Sequence, residues 1–118
     1  MSFSPNLLMI EKEHIEAAKQ WEDVAEKHSE LKYIVPQAYF YSAINYIEAI
    51  LAKRNLHPRT HEERHSMMRD INGFDASDRE FHENLLYGRR EVGYRGRNGD
   101  KLRKIKNAYD HFRKKWQS

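Results

Sequence analysis

Apolar and aromatic residues return every three or four positions over most of the chain, and no stretch alternates with a period of two. The first stripe is Ile10, His14, Ala17, Trp21, Val24 and His28. It marks one face of a helix that Ser4, as N-cap, and Pro5, at the first helical position, can open. The run from Gln37 to Arg54, opened at Pro36, differs in kind. Tyr39, Phe40, Ala43, Ile44, Tyr46, Ile47, Ile50 and Leu51 put apolar surface on most of its sides, as in the central helix of a bundle. Asn55-Leu56-His57-Pro58 interrupts the pattern, because proline disfavours helical geometry in the residue before it. Thr60-His61-Glu62-Glu63 then reads as a capping box, opening a short helix with Met67, Met68 and Ile71 that stops near Asn72-Gly73. Ser77-Asp78-Arg79-Glu80 reads as a second box, ahead of Phe81, Leu85 and Leu86. Leu102, Ile105, Tyr109, Phe112 and Trp116 form the cleanest stripe, on the last helix. The expected fold is all-α, a compact up-and-down bundle of about five helices near 4–29, 36–54, 60–72, 76–88 and 100–116. Residues 1–118 make one domain.

Composition narrows the class. A chain of 118 residues cannot bury two independent cores. The charged fraction of 33% is high, yet 12% aromatics in regular spacing argue against disorder. The absence of Cys removes disulfide frameworks, thiolate metal sites and thiol nucleophiles. Apolar runs such as Leu7-Leu8-Met9-Ile10 fall far short of the roughly 20 residues of a membrane span. Met-Ser-Phe-Ser-Pro has no basic n-region, so no secretory signal is expected and the reading is a cytoplasmic protein without a membrane partner. The aromatic load suggests that some rings line a subunit interface, and a homodimer is expected.

Charge is placed unevenly. From Arg89 onward there are 11 Lys or Arg against Glu91, Asp100 and Asp110, a net +8, while the first 88 residues carry −5. Such an excess attracts nucleic acid, nucleotide phosphates or an acidic protein surface. Within it, Arg89, Arg90, Arg95 and Arg97 alternate with Gly88, Gly93, Gly96 and Gly99, and Tyr87 and Tyr94 stand beside them. Arginine presents a planar fork to phosphate, tyrosine can stack on a base, and glycines permit a turn from which the arginines converge. Arg59, Arg89, Arg90, Arg95, Arg97 and Lys101 are therefore the candidate anion-binding residues. Around the third helix N-terminus, His57, Arg59, His61, Arg64 and His65 form a second anion candidate. The simpler reading there is that Thr60 caps the helix and the imidazoles make local hydrogen bonds.

His61-Glu62-Glu63-Arg64-His65 also matches H-E-x-x-H literally. His61 and His65 would be the zinc ligands and Glu62 the base. The intervening Glu and Arg, and the missing sheet, make a zinc hydrolase the remote alternative. No resident metal or cofactor is expected. His14 and His28, on the first apolar stripe, read as buried and hydrogen-bonded.

The order of these features resembles the HEPN-domain family. The segment Ala38-Tyr39-Phe40-Tyr41-Ser42-Ala43-Ile44-Asn45-Tyr46-Ile47-Glu48-Ala49-Ile50-Leu51-Ala52-Lys53-Arg54 is similar to the second helix of those domains. Leu56-His57-Pro58-Arg59-Thr60-His61 resembles the loop that follows, and Arg89 to Gly96 the Arg…Tyr-Gly stretch before the last helix. The likeness implies a dimeric helical bundle associated with RNA cleavage, with toxin–antitoxin modules paired with small nucleotidyltransferases, and with antiviral defence. Catalytic members are metal-independent ribonucleases using Arg, four to six residues, then His, with a Tyr often two positions on. Arg89 and Tyr94 are matched to the Arg and Tyr; counting back from Tyr94 puts the His at or near 92, where Val92 stands, and no His occurs between His82 and His111. His61 is then the candidate for a relocated imidazole, with His65 beside it. The departure favours a module that binds RNA, a nucleotide or a partner protein such as a small nucleotidyltransferase, without intact nuclease chemistry. A metal-independent ribonuclease toxin is the alternative.

Overall fold

The computed structural model describes residues 9–95 and 99–118, with side chains described from 9 to 87 and from 101 to 118. Helix α1 spans Glu11–Lys27, α2 Ile34–Ala52, α3 His61–Asp70, α4 Ala76–Arg95 and α5 Gly99–Gln117. The expected opening at Ser4 and Pro5 lies outside the described residues. Instead α1 starts after Ile10, which is extended (φ −84°, ψ 169°) and donates its N–H to the Glu13 carboxylate at 3.0 Å. Glu11 and Glu13 in the first turn complement the helix dipole. His28 departs from its expected buried place. The helix ends at Lys27, so the His28 side chain stays 52% exposed, 3.8 Å from Glu30.

Helix α2 holds twelve buried residues, and Pro36 sits in its first turn, where no intrahelical donor is needed. Its C-terminus closes on Asn55, at φ 59°. The N–H of Leu56 reaches the Leu51 carbonyl (3.1 Å) and that of Asn55 the Ala52 carbonyl (2.9 Å), the paired bonds of a Schellman end. In α3 the expected cap is present, Glu63 N–H donating to Thr60 Oγ1 at 3.0 Å. The Glu63 carboxylate returns not to Thr60 but to the Arg59 N–H, at 2.8 Å.

Two expectations about α4 are corrected. Its box is Asp75 and Asp78, each carboxylate taking the other's backbone N–H at 2.9 and 2.8 Å, rather than Ser77 and Glu80. The helix also runs through Gly88 and Gly93 to Arg95, instead of ending near 88. Two helical glycines cost about 1 kcal/mol each. The Arg and Glu residues between them are good helix formers, and Glu91 precedes Arg95 at the favourable four-residue spacing. Positions 88–95 of the expected Gly/Arg turn are therefore helical, and 96–98 lie outside the described residues.

Packing is organised around α2. Helix α1 lies antiparallel to it, and Ser42 Oγ donates to the Ala18 carbonyl at 2.8 Å, an approach that Ala18 and Ala43 make sterically possible. Helix α5 runs parallel to α2 on another side. Tyr39 meets Tyr109 (centroids 4.9 Å apart) and Tyr46 meets Trp116 (5.8 Å). Helix α4 returns antiparallel to α5. Tyr46 donates its hydroxyl to Glu22, and burial together with that carboxylate pushes the Tyr46 and Tyr109 phenols well above their ordinary range. Trp116 Nε1–H donates to Glu11 at 3.0 Å, joining the last helix to the start of the first. No described residue is in a strand, and no described helix is long and apolar enough to cross a membrane.

Candidate functional site

The polar positions that interrupt α2 are where the site begins. Asn45 and Glu48 stand in the mostly apolar C-terminal half of α2, and each has a use. Asn45 Oδ1 lies 3.1 Å from His14 Nδ1 of α1, and Glu48 Oε1 lies 3.7 Å from the same nitrogen. On its other oxygen Glu48 accepts Nε–H and Nη2–H of Arg64, at 3.0 and 2.7 Å. Arg64 is only 5% exposed, so its guanidinium reaches the core from α3. Its remaining arm, Nη1, donates to His61 Nδ1 at 2.5 Å and approaches His82 Nε2 of α4 at 3.5 Å. His14, Glu48, Arg64 and His82 thus link α1, α2, α3 and α4 through one buried polar chain.

His82 is fully buried. Burial first, then the charges of Arg64, His65 and His61, lower its pKa to about 3, so it is neutral at physiological pH. With Nε2 facing a donor, its proton sits on Nδ1, a buried atom with no hydrogen-bond partner among the described residues. His65 stacks on it (centroids 5.7 Å apart) and points Nε2 toward Glu83, 3.9 Å away. Outside this layer a cleft of about 270 Å³ opens between α3 and α4, bordered by His61, His65, Arg69 and Leu86 among others.

The H-E-x-x-H match therefore holds a buried cation between its two histidines. Arg64 occupies the Nδ1 lone pair of His61, and among the described residues no three His, Asp or Glu are grouped to hold a metal ion. His14 is buried and hydrogen-bonded as expected. Arg59 is exposed, its backbone N–H taken by Glu63.

Arg89, Arg90, Tyr94 and Arg95 lie on the last turns of α4, their side chains outside the described residues, and Arg97 falls wholly outside. Backbone register still locates the first two. Arg89 and Arg90 follow Leu86, which shares the cleft with His61, by three and four residues, one helical turn. Lys101, on the first turn of α5, sets its ammonium 3.5 Å from the centre of the Tyr87 ring. The α4–α5 junction from 89 to 104 carries seven Lys or Arg against Glu91 and Asp100.

Sequence reasoning missed Glu48, Asn45, His82 and a second buried charge, Asp78. Asp78 is 2% exposed and accepts from His111 Nε2 (2.6 Å), Lys115 Nζ (3.1 Å) and its box partner's N–H. Burial pushes its carboxyl up, but these donors outweigh it and hold the pKa below the usual carboxylate value. Lone polar residues within apolar runs were the available signal for the first two. No protein-family model, curated protein or solved structure matches this chain.

Proposed function

We propose that this chain is a HEPN-like helical module that binds an anionic partner through the α4–α5 end of the bundle. RNA is the partner we put first, ahead of a nucleotide or a protein such as a small nucleotidyltransferase. The observation that carries the reading is the charge at that end. Six cationic residues, Arg89, Arg90 and Arg95 of α4 and Lys101, Arg103 and Lys104 of α5, lie on two antiparallel helices joined by three residues, so they are brought to one end by connectivity alone. Lys101 meeting Tyr87 across the two helices supports the same placement. A phosphate backbone binding there would release counterions, making affinity fall steeply with salt.

The test is fluorescence anisotropy of a labelled RNA at several salt concentrations. The double substitution Arg89→Ala, Arg90→Ala is expected to weaken binding and to reduce the log–log salt slope by about 2, one per phosphate contact. A role in binding alone predicts a nearly unchanged melting temperature. Unaltered affinity and slope in the double variant would refute the reading.

One observation favours ribonuclease chemistry as a second reading. The cleft has two imidazoles on its border, and His61 has its Nδ1 fixed by Arg64. RNA cleavage needs a base within reach of the 2′-hydroxyl, a role an imidazole fills near neutral pH. Cleavage of total RNA in EDTA that disappears in both His61→Ala and Arg89→Ala would establish it.

A further inference from the structure

We infer that the RNA recognised by this module is single-stranded, with bases stacking on Tyr87 and Tyr33, the two exposed tyrosines among the described residues, each of which carries a lysine on the ring. The inference rests on the RNA-binding reading above and adds the class of RNA.

Twelve aromatic side chains are described, and ten of them are buried or half-buried. The exceptions are Tyr33 and Tyr87, 51% and 54% exposed. A bundle that encloses nearly all its rings gains nothing for its core from leaving these two in water. Both have the same companion. Lys101 Nζ lies 3.5 Å from the Tyr87 ring centre and Lys32 Nζ lies 5.4 Å from that of Tyr33.

Topology brings the two pairs to one end. Helices α2 and α5 run parallel, since Tyr39 meets Lys106 and Tyr109 while Tyr46, two turns on, meets Trp116. Their N-termini therefore share an end, with Tyr33 just before α2 and Lys101 on the first turn of α5. Helix α4 runs against α5, with Asp78 beside Lys115 at the far end and Tyr87 beside Lys101 at this one. The helical positions of Arg89, Arg90 and Arg95 on α4 and of Arg103 and Lys104 on α5 are at this end too.

An exposed ring beside an ammonium matches a single strand, which offers an unstacked base for the ring and a phosphate for the cation. A duplex offers only the phosphates, because its bases are already stacked on each other. Charge at this end therefore draws any polyanion, while the tyrosines select the unpaired one.

The experiment is anisotropy with a labelled single-stranded RNA of about 12 nucleotides and with a duplex of the same length, using the full chain. The single strand should bind at least about tenfold more tightly. Tyr87→Ala should weaken single-strand binding by about 5- to 160-fold, the range of one base–ring stack, and leave the salt slope unchanged. Tyr87→Phe should restore affinity to within about twofold, and Tyr33→Ala should show a smaller loss. Equal affinity for duplex and single strand, or wild-type affinity in Tyr87→Ala, would overturn the inference while salt-dependent binding left the module reading standing. Binding to neither RNA, with retention only by an acidic peptide, would overturn both.

Discussion

Glu48 of α2 accepts two hydrogen bonds from Arg64 of α3 on one carboxylate oxygen, at 3.0 and 2.7 Å, and almost no water reaches the guanidinium. Removing one member leaves the other buried without its counter-charge, a cost of about 3–5 kcal/mol when solvent is fully excluded. Glu48 keeps 17% exposure, so Glu48→Ala is expected to cost about 3 kcal/mol. The double substitution Glu48→Leu, Arg64→Met should recover most of that. Urea denaturation of the wild type and the two variants checks it, and equal losses in single and double variants would contradict the pairing.

His82 makes stability depend on pH. Unfolded, its imidazole takes up a proton near pH 6.5, whereas the native pKa is lowered to about 3. Between those values the unfolded chain binds a proton that the native state refuses, so stability falls as pH drops from about 6.5 toward 3. The loss between pH 7 and pH 4.5 should be roughly 2–3 kcal/mol from this group. His82→Leu should flatten the pH profile over that window, measured by urea midpoints. An identical profile in wild type and variant would exclude His82 as the source.

Asp78 acts in a lower window. Its carboxyl is held below the ordinary value, so its contribution is complete above about pH 4 and is lost as pH falls through the native pKa. Asp78→Asn should cost about 2–3 kcal/mol at pH 7, because Lys115 and the His111 Nε2 lose a charged acceptor. The variant should then lose less than the wild type on further acidification below pH 4. Calorimetry across pH 2–7 separates the two curves.

Two backbone positions set opposite rules for substitution. Gly73 has φ 114°, and a Cβ there would sit 2.8 Å from Nη2 of Arg54. Gly73→Ala should therefore cost about 1–2 kcal/mol, mostly from backbone strain, since the Arg54 side chain can move aside. Asn55, in the left-handed region at φ 59°, should accept glycine with a change under about 0.5 kcal/mol and lose about 1 kcal/mol with alanine. Thermal melts of the three variants read these differences.

The elements most legible in the sequence are those whose signals are complete within one or two turns. The apolar surround of α2, the stripe of α5 and the Thr60 cap on Glu63 all involve residues no more than a few positions apart. The aromatic load was legible as well, but not its placement. Most of the described rings fill the space between α1, α2 and α5. The end of α4 was misplaced because glycine weakens a helix without forbidding it, and the intervening residues tip the balance.

What the sequence determined by itself was the helical class, the central position of α2 and the concentration of positive charge after residue 88. Which charges leave water was decided only by tertiary structure. Two boxes were available at the start of α4, and the one used contains Asp78, whose carboxylate is also served by His111 and Lys115, more than thirty residues away. Arg64 reads locally as one more surface residue between two histidines, yet it lies in the core because Glu48, sixteen residues earlier, faces it from α2. Periodicity and capping act over a helical turn, so a linear reading captures them. The cost of burying a charge depends on every helix that covers it, and that arrangement exists only once the chain has folded.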